Sequence, residues 1–295
     1  MKLSPYGSVI VALVTPFNQN LEVDYSAAVS LGRRLSEAGV DGILISGTTG
    51  ESPTLTGSEK IRLVSEVRDA LDPSVMVWAG ASSYNTADSI ELTRLMEKAG
   101  ADGILAVTPY YNKPGQEGLY RHFRAISEAT SLPVMLYNVP SRTSVNLLPD
   151  TVLRLAELKN VKAIKEASGN LDQVSAILAG CPDDFYVYSG DDSLTLPILS
   201  LGGSGIVSVA AHLVARHLRN MVDFYAEGKT QEARKIHYEL FGLFKVLFIT
   251  TNPVPVKTAL EITGVPVGGF RLPLCQPSAK EIDAIRQVLA EMGLI

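Results

Sequence analysis

The amino-acid sequence predicts an α/β fold, a (β/α)8 TIM barrel followed by a C-terminal helical extension. Eight short runs rich in β-branched residues alternate with amphipathic helical segments, which is typical of a parallel sheet covered by helices. Eight is also the number of strands that closes a TIM barrel. The phrases AGVDGIL (38–44) and AGADGIL (99–105) match at an offset of 61 residues, or two βα units. This internal echo favours a barrel over an open doubly wound sheet.

The elements follow in order along the chain. TGSE (56–59) and SAKE (278–281) are capping boxes that start helices, and GDD (190–192) predicts a helix N-cap. Strands are expected at 9–14, 42–46, 75–79, 103–107, 134–138, 161–165, 186–189 and 205–209.

The chain beyond the eighth strand is too long for one closing helix. Helical patterns cover 221–227, 231–248, 256–262 and 279–292, and Pro253 and Pro255 break the chain before the third of them. We therefore expect a barrel domain at 1–227 and a C-terminal helical domain at 228–295.

The composition is that of an ordinary globular chain, with 295 residues of which 46% are hydrophobic and 19% charged. A net charge of −5 without any Lys/Arg cluster makes nucleic acid an unexpected partner. Two distant cysteines, Cys181 and Cys275, fit a reducing cytosol. No signal segment and no long apolar run is present, so we expect a cytoplasmic protein without a membrane partner. The histidines show no metal-ligand spacing, and we expect no metal.

The run VKAIKEASG (161–169) reads as a short buried strand that delivers Lys165 just before a turn of small residues. The carboxyl end of a barrel strand is where catalytic groups lie. Burial among apolar neighbours favours the neutral amine, which can attack a carbonyl. A lysine at this position can also extend its ammonium out of the sheet, and the stretch alone does not decide between the two.

Other chemically useful clusters follow strands two, four and five. SGTTGES (46–52) leaves backbone N–H groups and hydroxyls open to a carboxylate or a phosphate, although a tight loop explains it equally well. The tyrosine pair Tyr110–Tyr111 fits packing or an interface. Arg142 follows Tyr137 by five residues and is either a bidentate carboxylate ligand or a surface charge.

A barrel gathers these clusters, because the carboxyl ends of its strands share one rim. The set then holds an amine that attacks a carbonyl (Lys165) and a phenol for proton transfer (Tyr137). It also holds hydroxyls that relay protons (Thr48, Tyr111) and an anion site (Thr48, Thr49). Together these residues predict Schiff-base chemistry on a 2-oxo acid.

The phrases GTTGES, TPYYNKPGQEGLY, YNVPSRT, IKEASGNL, SGDD and NPVPVK occur in this order between about Ser8 and the C-terminus. They resemble the dihydrodipicolinate synthase members of the pyruvate-dependent lyase family, which includes N-acetylneuraminate lyase. The resemblance implies a homotetramer, a dimer of dimers, of TIM barrels with C-terminal helices. It also implies condensation of pyruvate with L-aspartate 4-semialdehyde to 4-hydroxy-tetrahydrodipicolinate in lysine and diaminopimelate biosynthesis, with no cofactor.

The resemblance also implies roles for single residues. Lys165 matches the Schiff-base lysine, and Tyr137 matches the general acid/base above it. Thr48 matches the hydroxyl between two tyrosines, and Tyr111 matches the tyrosine that reaches across the dimer interface.

Substrate binding is implied in the same way. Thr49 joins Thr48 at the pyruvate carboxylate, the Val207 carbonyl lies near the lysine, and Arg142 takes the carboxylate of the semialdehyde. Arg142 distinguishes this reaction from that of a lyase cleaving sialic acid or 2-keto-3-deoxygluconate, which would share Lys165 and Tyr137. A non-catalytic barrel that binds a keto acid is the alternative of another class.

Lysine-sensitive members of the family resemble one another at a cleft beside the dimer interface, which holds the effector with two histidines and four other polar residues. Ser52 and Tyr110 match that set. Lys60 adds a positive charge, so the resemblance implies weak or absent feedback by lysine. The positions that differ are Gly57 and Lys60 in place of the histidines, Tyr84 in place of an asparagine and Asp88 in place of a glutamate.

Overall fold

The computed structural model describes residues 2–295, and within that range eight parallel strands close into one barrel. Each strand pairs with the next along the chain, and the last pairs with the first. The predicted (β/α)8 barrel with C-terminal helices is thereby confirmed, and three strands match their predicted bounds. The strands are β1 Val9–Ala12, β2 Gly42–Ile45, β3 Met76–Gly80, β4 Gly103–Val107, β5 Val134–Asn138, β6 Val161–Glu166, β7 Tyr186–Ser189 and β8 Gly205–Ser208.

Helices cover the outside of the barrel and extend beyond it. Both predicted capping boxes form, with reciprocal hydrogen bonds between Thr56 and Glu59 and between Ser278 and Glu281. The helices are α1 Tyr25–Glu37, α2 Gly57–Ala70, α3 Thr86–Lys98, α4 Gln116–Ser127, α5 Pro140–Thr143, α6 Pro149–Ala156, α7 Leu171–Gly180, α8 Thr195–Ser200, α9 Ala211–Ala226, α10 Thr230–Val246, α11 Val254–Ile262 and α12 Ala279–Glu291.

Two helices begin two or more residues earlier than the sequence pattern predicts. Helix α9 starts directly after β8 rather than at residue 221, and Val214 departs from helical angles (φ −133°, ψ 34°) inside its first turns. That interruption disturbs the 3.6-residue period on which the prediction depended. Helix α11 includes Pro255 in its first turn, where the missing N–H of a proline costs no hydrogen bond.

Two apolar layers hold the barrel together, one inside it and one between the strands and the helices. Trp78 fills the interior beside Gly103, where a Cβ atom would lie only 2.5 Å from the indole ring. Glycine is required there because any larger residue would displace the tryptophan.

The C-terminal helices pack against the rim of the barrel. Lys257 on α11 forms a fully buried ion pair with Glu51, whose loop follows β2. The division into domains at residue 227 stays a prediction, and it falls in the turn between α9 and α10. No helix in the part of the chain that the structure describes is long and apolar enough to cross a membrane.

Candidate active site

The carboxyl-terminal rim of the barrel encloses a cavity of about 180 Å³. Five residues that the sequence analysis singled out line it together, although they come from three separate stretches of the chain. These residues are Thr48, Thr49, Tyr137, Arg142 and Lys165.

Lys165 lies at the carboxyl end of β6 and is only 5% exposed. Its neighbour in register on β5 is Tyr137, and the Lys165 Nζ atom lies 4.4 Å from the centroid of the tyrosine ring. Gly190 makes room for the lysine, because a Cβ atom there would stand 3.2 Å from Lys165 Cε and 2.7 Å from Ala167 Cβ. The structure therefore holds a buried amine against a phenol.

The next residue, Glu166, points to the opposite face of β6 and fixes the end of the strand. Its carboxylate accepts hydrogen bonds from Asn138 Nδ2 (3.0 Å), Gln173 Nε2 (3.1 Å) and the backbone N–H of Ser168 (2.6 Å). These three donors come from β5, α7 and the loop after β6. They restrain the two strands that carry the amine and the phenol.

Thr48 and Thr49 lie on a tight loop that the C-terminal helices anchor. Glu51 closes this loop in a left-handed conformation (φ 52°), and its N–H donates to the Thr48 carbonyl over 3.1 Å. Its carboxylate lies 2.9 Å from Lys257 Nζ, and both side chains are fully buried. Burial lowers the pKa of Lys257, and the Glu51 carboxylate opposes that shift.

Asn252 lies in the wall of the same cavity, a position to which the sequence analysis gave no role. The side-chain Nδ2 of Asn252 donates to Thr49 Oγ1 over 2.9 Å, and the main-chain carbonyl of Asn252 accepts from Arg142 Nη2 over 3.3 Å. Asn252 begins the phrase NPVPVK, which contributes to the family resemblance but does not indicate what this segment contacts. Asp191 and Phe248 also line the cavity.

Two predicted site residues, Tyr111 and Val207, do not line this cavity within one chain. Tyr111 is 90% exposed and in a left-handed conformation (φ 72°), so its phenol does not reach Lys165 within one chain. Val207 is buried inside the barrel, and Val209, two residues further along, lines the cavity. The roles assigned to Tyr111 and to the Val207 carbonyl therefore stay predictions.

A larger cavity of about 570 Å³ adjoins the first and shares Thr48, Tyr137 and Arg142 with it. It contains Ser52, Lys60, Asp88 and Tyr110 of the predicted effector cleft, together with Glu91, which the sequence analysis missed. Tyr84 packs edge-on against Tyr110, with 5.3 Å between the ring centroids. Burial lowers the pKa of Lys60 and raises that of Tyr110.

The described residues contain no cluster of three His, Cys, Asp or Glu side chains that could hold a metal ion. The polar groups that line the cavity are the amine, the phenol, the hydroxyls and the guanidinium already described, together with the Asp191 carboxylate and the Asn252 amide.

Comparison with known proteins gives a match to the model of the Dihydrodipicolinate synthetase family over residues 5–292. Among curated proteins, the 4-hydroxy-tetrahydrodipicolinate synthase of Desulforamulus reducens is 53% identical over the full length of both chains. The enzyme of that name from Heliobacterium modesticaldum is 55% identical, covering 98% of this chain and 96% of its own.

Solved structures agree with this match. The DHDPS of Cyanidioschyzon merolae, crystallised with lysine bound, superimposes with a TM-score of 0.97 at 47% identity, over 99% of this chain and 100% of its own. The dihydrodipicolinate synthase of Aquifex aeolicus gives a TM-score of 0.96 at 43% identity, over 98% and 99%. Because the likeness runs through the barrel and the C-terminal helices alike, this chain belongs to the Dihydrodipicolinate synthetase family.

Proposed function

We propose that the protein condenses pyruvate with L-aspartate 4-semialdehyde to give 4-hydroxy-tetrahydrodipicolinate, in lysine and diaminopimelate biosynthesis. Full-length relatives at 51–55% identity carry the name of that synthase. The observation that carries the proposal is the buried Lys165 amine beside the Tyr137 phenol, in a cavity that also holds Thr49 and Arg142. This set provides a nucleophile, a proton-transfer group and two places for carboxylates.

The reaction begins when the Lys165 amine attacks the ketone of pyruvate. Loss of water gives an iminium that withdraws electrons from the neighbouring methyl group. The phenol of Tyr137 is placed to transfer protons in these steps, because its ring lies against the amine. Thr48 and Thr49 hold the pyruvate carboxylate on the loop that Glu51 and Lys257 anchor.

Carbon–carbon bond formation follows. The iminium loses a methyl proton to form an enamine, and the enamine carbon attacks the aldehyde of the second substrate. Arg142 binds the carboxylate of that substrate and holds its aldehyde near the enamine, which lowers the entropic part of the barrier. The amino group of the adduct then attacks the imine carbon, closing the ring and returning Lys165 as a free amine.

Proton exchange with solvent runs through Tyr137, Thr48 and Tyr111 of the partner subunit. The exposed Tyr111 side chain supports this part of the proposal, since it lies outside its own cavity and is free to enter another. A dimer is then the smallest complete enzyme, and we propose the homotetramer, a dimer of such dimers, as the working form. We also propose a cytoplasmic location and a division at residue 227 between the barrel and the C-terminal helices.

A substrate panel tests the proposed function. Pyruvate with L-aspartate 4-semialdehyde should give rapid turnover, while N-acetylneuraminate and 2-keto-3-deoxygluconate should give none. Preferred cleavage of a sugar acid would contradict the proposal and favour the lyase alternative. Pyruvate bound without a borohydride-reducible adduct would indicate a keto-acid-binding barrel without catalysis.

A further inference from the structure

Asn252 connects two groups of the active-site cavity that follow different strands of the barrel. This residue is 5% exposed and lies just before α11. Its side chain contacts Thr49, after β2, while its main chain contacts Arg142, after β5. A single residue of the C-terminal segment therefore touches both groups proposed to bind substrate carboxylates.

The direction of the side-chain hydrogen bond matters for the chemistry of Thr49. Nδ2 of Asn252 is a donor, so the Thr49 hydroxyl accepts from it over 2.9 Å. The hydroxyl is thereby free to direct its own proton elsewhere. In a cavity that receives a carboxylate, that proton becomes a hydrogen-bond donor to an anion, which is stronger than a bond between neutral groups.

The side-chain oxygen of Asn252 makes no competing hydrogen bond. Oδ1 is buried and has no hydrogen-bond partner among residues 2–295. The bond to Thr49 is then the one hydrogen bond that the side chain makes in the described part of the chain. The contact with Arg142 uses the main-chain carbonyl, which a side-chain substitution leaves in place.

We propose that Asn252 is a positioning residue that sets the direction of the Thr49 hydroxyl, so that Thr49 donates to the carboxylate of the 2-oxo acid. Asn252 acts through Thr49 and serves the first substrate, whereas Arg142 serves the second. This inference deepens the proposed function and rests on it, because it assumes that Thr49 meets the carboxylate of pyruvate.

Two substitutions that nearly preserve the size of the Asn252 side chain separate the effect of hydrogen-bond direction from the effect of packing. Asn252→Asp offers only acceptors, so the Thr49 proton turns toward residue 252 and away from the substrate. Asn252→Leu removes the hydrogen bond altogether. The concentration of pyruvate that half-saturates borohydride trapping at Lys165 should rise about tenfold to a hundredfold in Asn252→Asp, and less in Asn252→Leu. The KM for L-aspartate 4-semialdehyde should change less than threefold, as expected of about 0.6 kcal/mol or less.

A double-mutant cycle with Thr49→Val tests whether Asn252 acts through Thr49. Once the hydroxyl is gone, adding the neutral Asn252→Leu, which brings no charge into the cavity, should raise the half-saturating pyruvate concentration no further. Additive losses would overturn the proposal, as would equal increases for both substrates.

If Asn252→Asp binds pyruvate as well as the wild type, then the amide accepts from Thr49 and the proposed direction is wrong. Wild-type protein that fails to trap pyruvate would instead contradict the proposed function itself.

Discussion

Tyr137 and Lys165 are partners in register on neighbouring strands, and the Lys165 Nζ atom stands 4.4 Å from the centroid of the phenol ring. Parallel pairing sets this relationship, because side chains at paired positions point to the same face of the sheet. A carbonyl carbon that reacts with the amine must therefore lie beside the phenol. The pairing of β5 with β6 therefore places the nucleophile beside the proton-transfer group, and no loop is needed to bring them together.

Replacing this amine gives the most direct prediction. Pyruvate with borohydride should add one reduced adduct per chain, mapping to a peptide that contains Lys165. Lys165→Ala should lose the adduct and nearly all activity, because no other lysine among the described residues lines the cavity. The matched control is Lys162→Ala, three residues earlier on β6, where the side chain pairs with Asp184. Mass spectrometry that finds the label on Lys162 or Lys257 would contradict the assignment.

Tyr111 provides a prediction about the assembly. Tyr111→Phe should lower turnover, because the proton path loses its last hydroxyl, while pyruvate trapping at Lys165 stays near wild type. Mixing this variant with Lys165→Ala should restore part of the activity, since a mixed dimer can rebuild one complete site. Activity of the mixture that only averages the two parents would show that Tyr111 does not act across an interface.

The sequence predicted the strands well, because strands of a parallel barrel are buried on both faces and read as continuous apolar runs. Residues that follow such strands share a rim, so Lys165, Tyr137, Arg142 and the two threonines could be expected in one place. Their collection around one cavity needed no information beyond the strand order.

Contacts between distant segments could not be predicted in the same way. The side chains of Asn252 and Thr49 are separated by 203 positions, and those of Lys257 and Glu51 by 206. No local period encodes such a pair, and a lysine in a helical segment ordinarily predicts an exposed side chain. Only the docking of α11 on the rim brings these groups together.

The buried pair of Lys257 and Glu51 leads to a stability prediction. Lys257→Met leaves the carboxylate buried without its partner, which should lower the free energy of unfolding by about 3–5 kcal/mol. The double variant Glu51→Gln, Lys257→Met should recover part of that loss. Urea unfolding at one fixed protein concentration measures both.

The exposed pair of Lys162 and Asp184 is a matched control for that measurement. Lys162→Met should cost about 1 kcal/mol or less, because solvent screens the pair. Equal losses at the two sites would show that burial does not govern the contribution of Lys257.

His212 predicts a pH dependence of stability. Its Nδ1 lies 2.9 Å from the Val209 carbonyl, and its Nε2 accepts from the Val14 N–H over 3.1 Å, so the folded state requires the neutral ring. Burial lowers its pKa to about 4, against an opposing hydrogen bond to the Val209 carbonyl. The unfolded state gains a proton near its ordinary pKa of about 6.5, so stability falls as the pH drops from there toward about 4.

Replacing His212 should make the free energy of unfolding less dependent on pH over that range. Between about pH 7.5 and about pH 4.5, the wild type should lose on the order of 2 kcal/mol more unfolding free energy than His212→Gln. His122, whose pKa burial also lowers to about 4, stays in both proteins and cancels in the comparison. Parallel curves for the two proteins would contradict a neutral, buried His212.

The larger cavity leads to a prediction about feedback. Lys60 lines it without an ion-pair partner among the described residues, together with Asp88 and Glu91. Free L-lysine carries two ammonium groups, and like charges about 5 Å apart repel by roughly 3 kcal/mol at an effective dielectric near 20. Solvent reduces this value, yet a third of it weakens binding about fivefold. Lys60 is only partly exposed, so solvent screens this repulsion incompletely.

We therefore expect millimolar L-lysine to leave the condensation rate essentially unchanged. Asp88 is one methylene shorter than the glutamate that the family resemblance implies for lysine-sensitive members, and it therefore reaches less far toward an effector ammonium. The double variant Lys60→His, Asp88→Glu should gain measurable inhibition, because it removes the repelling charge and extends the carboxylate. Lys60→Met is the matched control, since it removes the charge without supplying a hydrogen-bond donor. Strong inhibition of the wild type at sub-millimolar lysine would show that Lys60 turns away into solvent and leaves the cleft open to the effector.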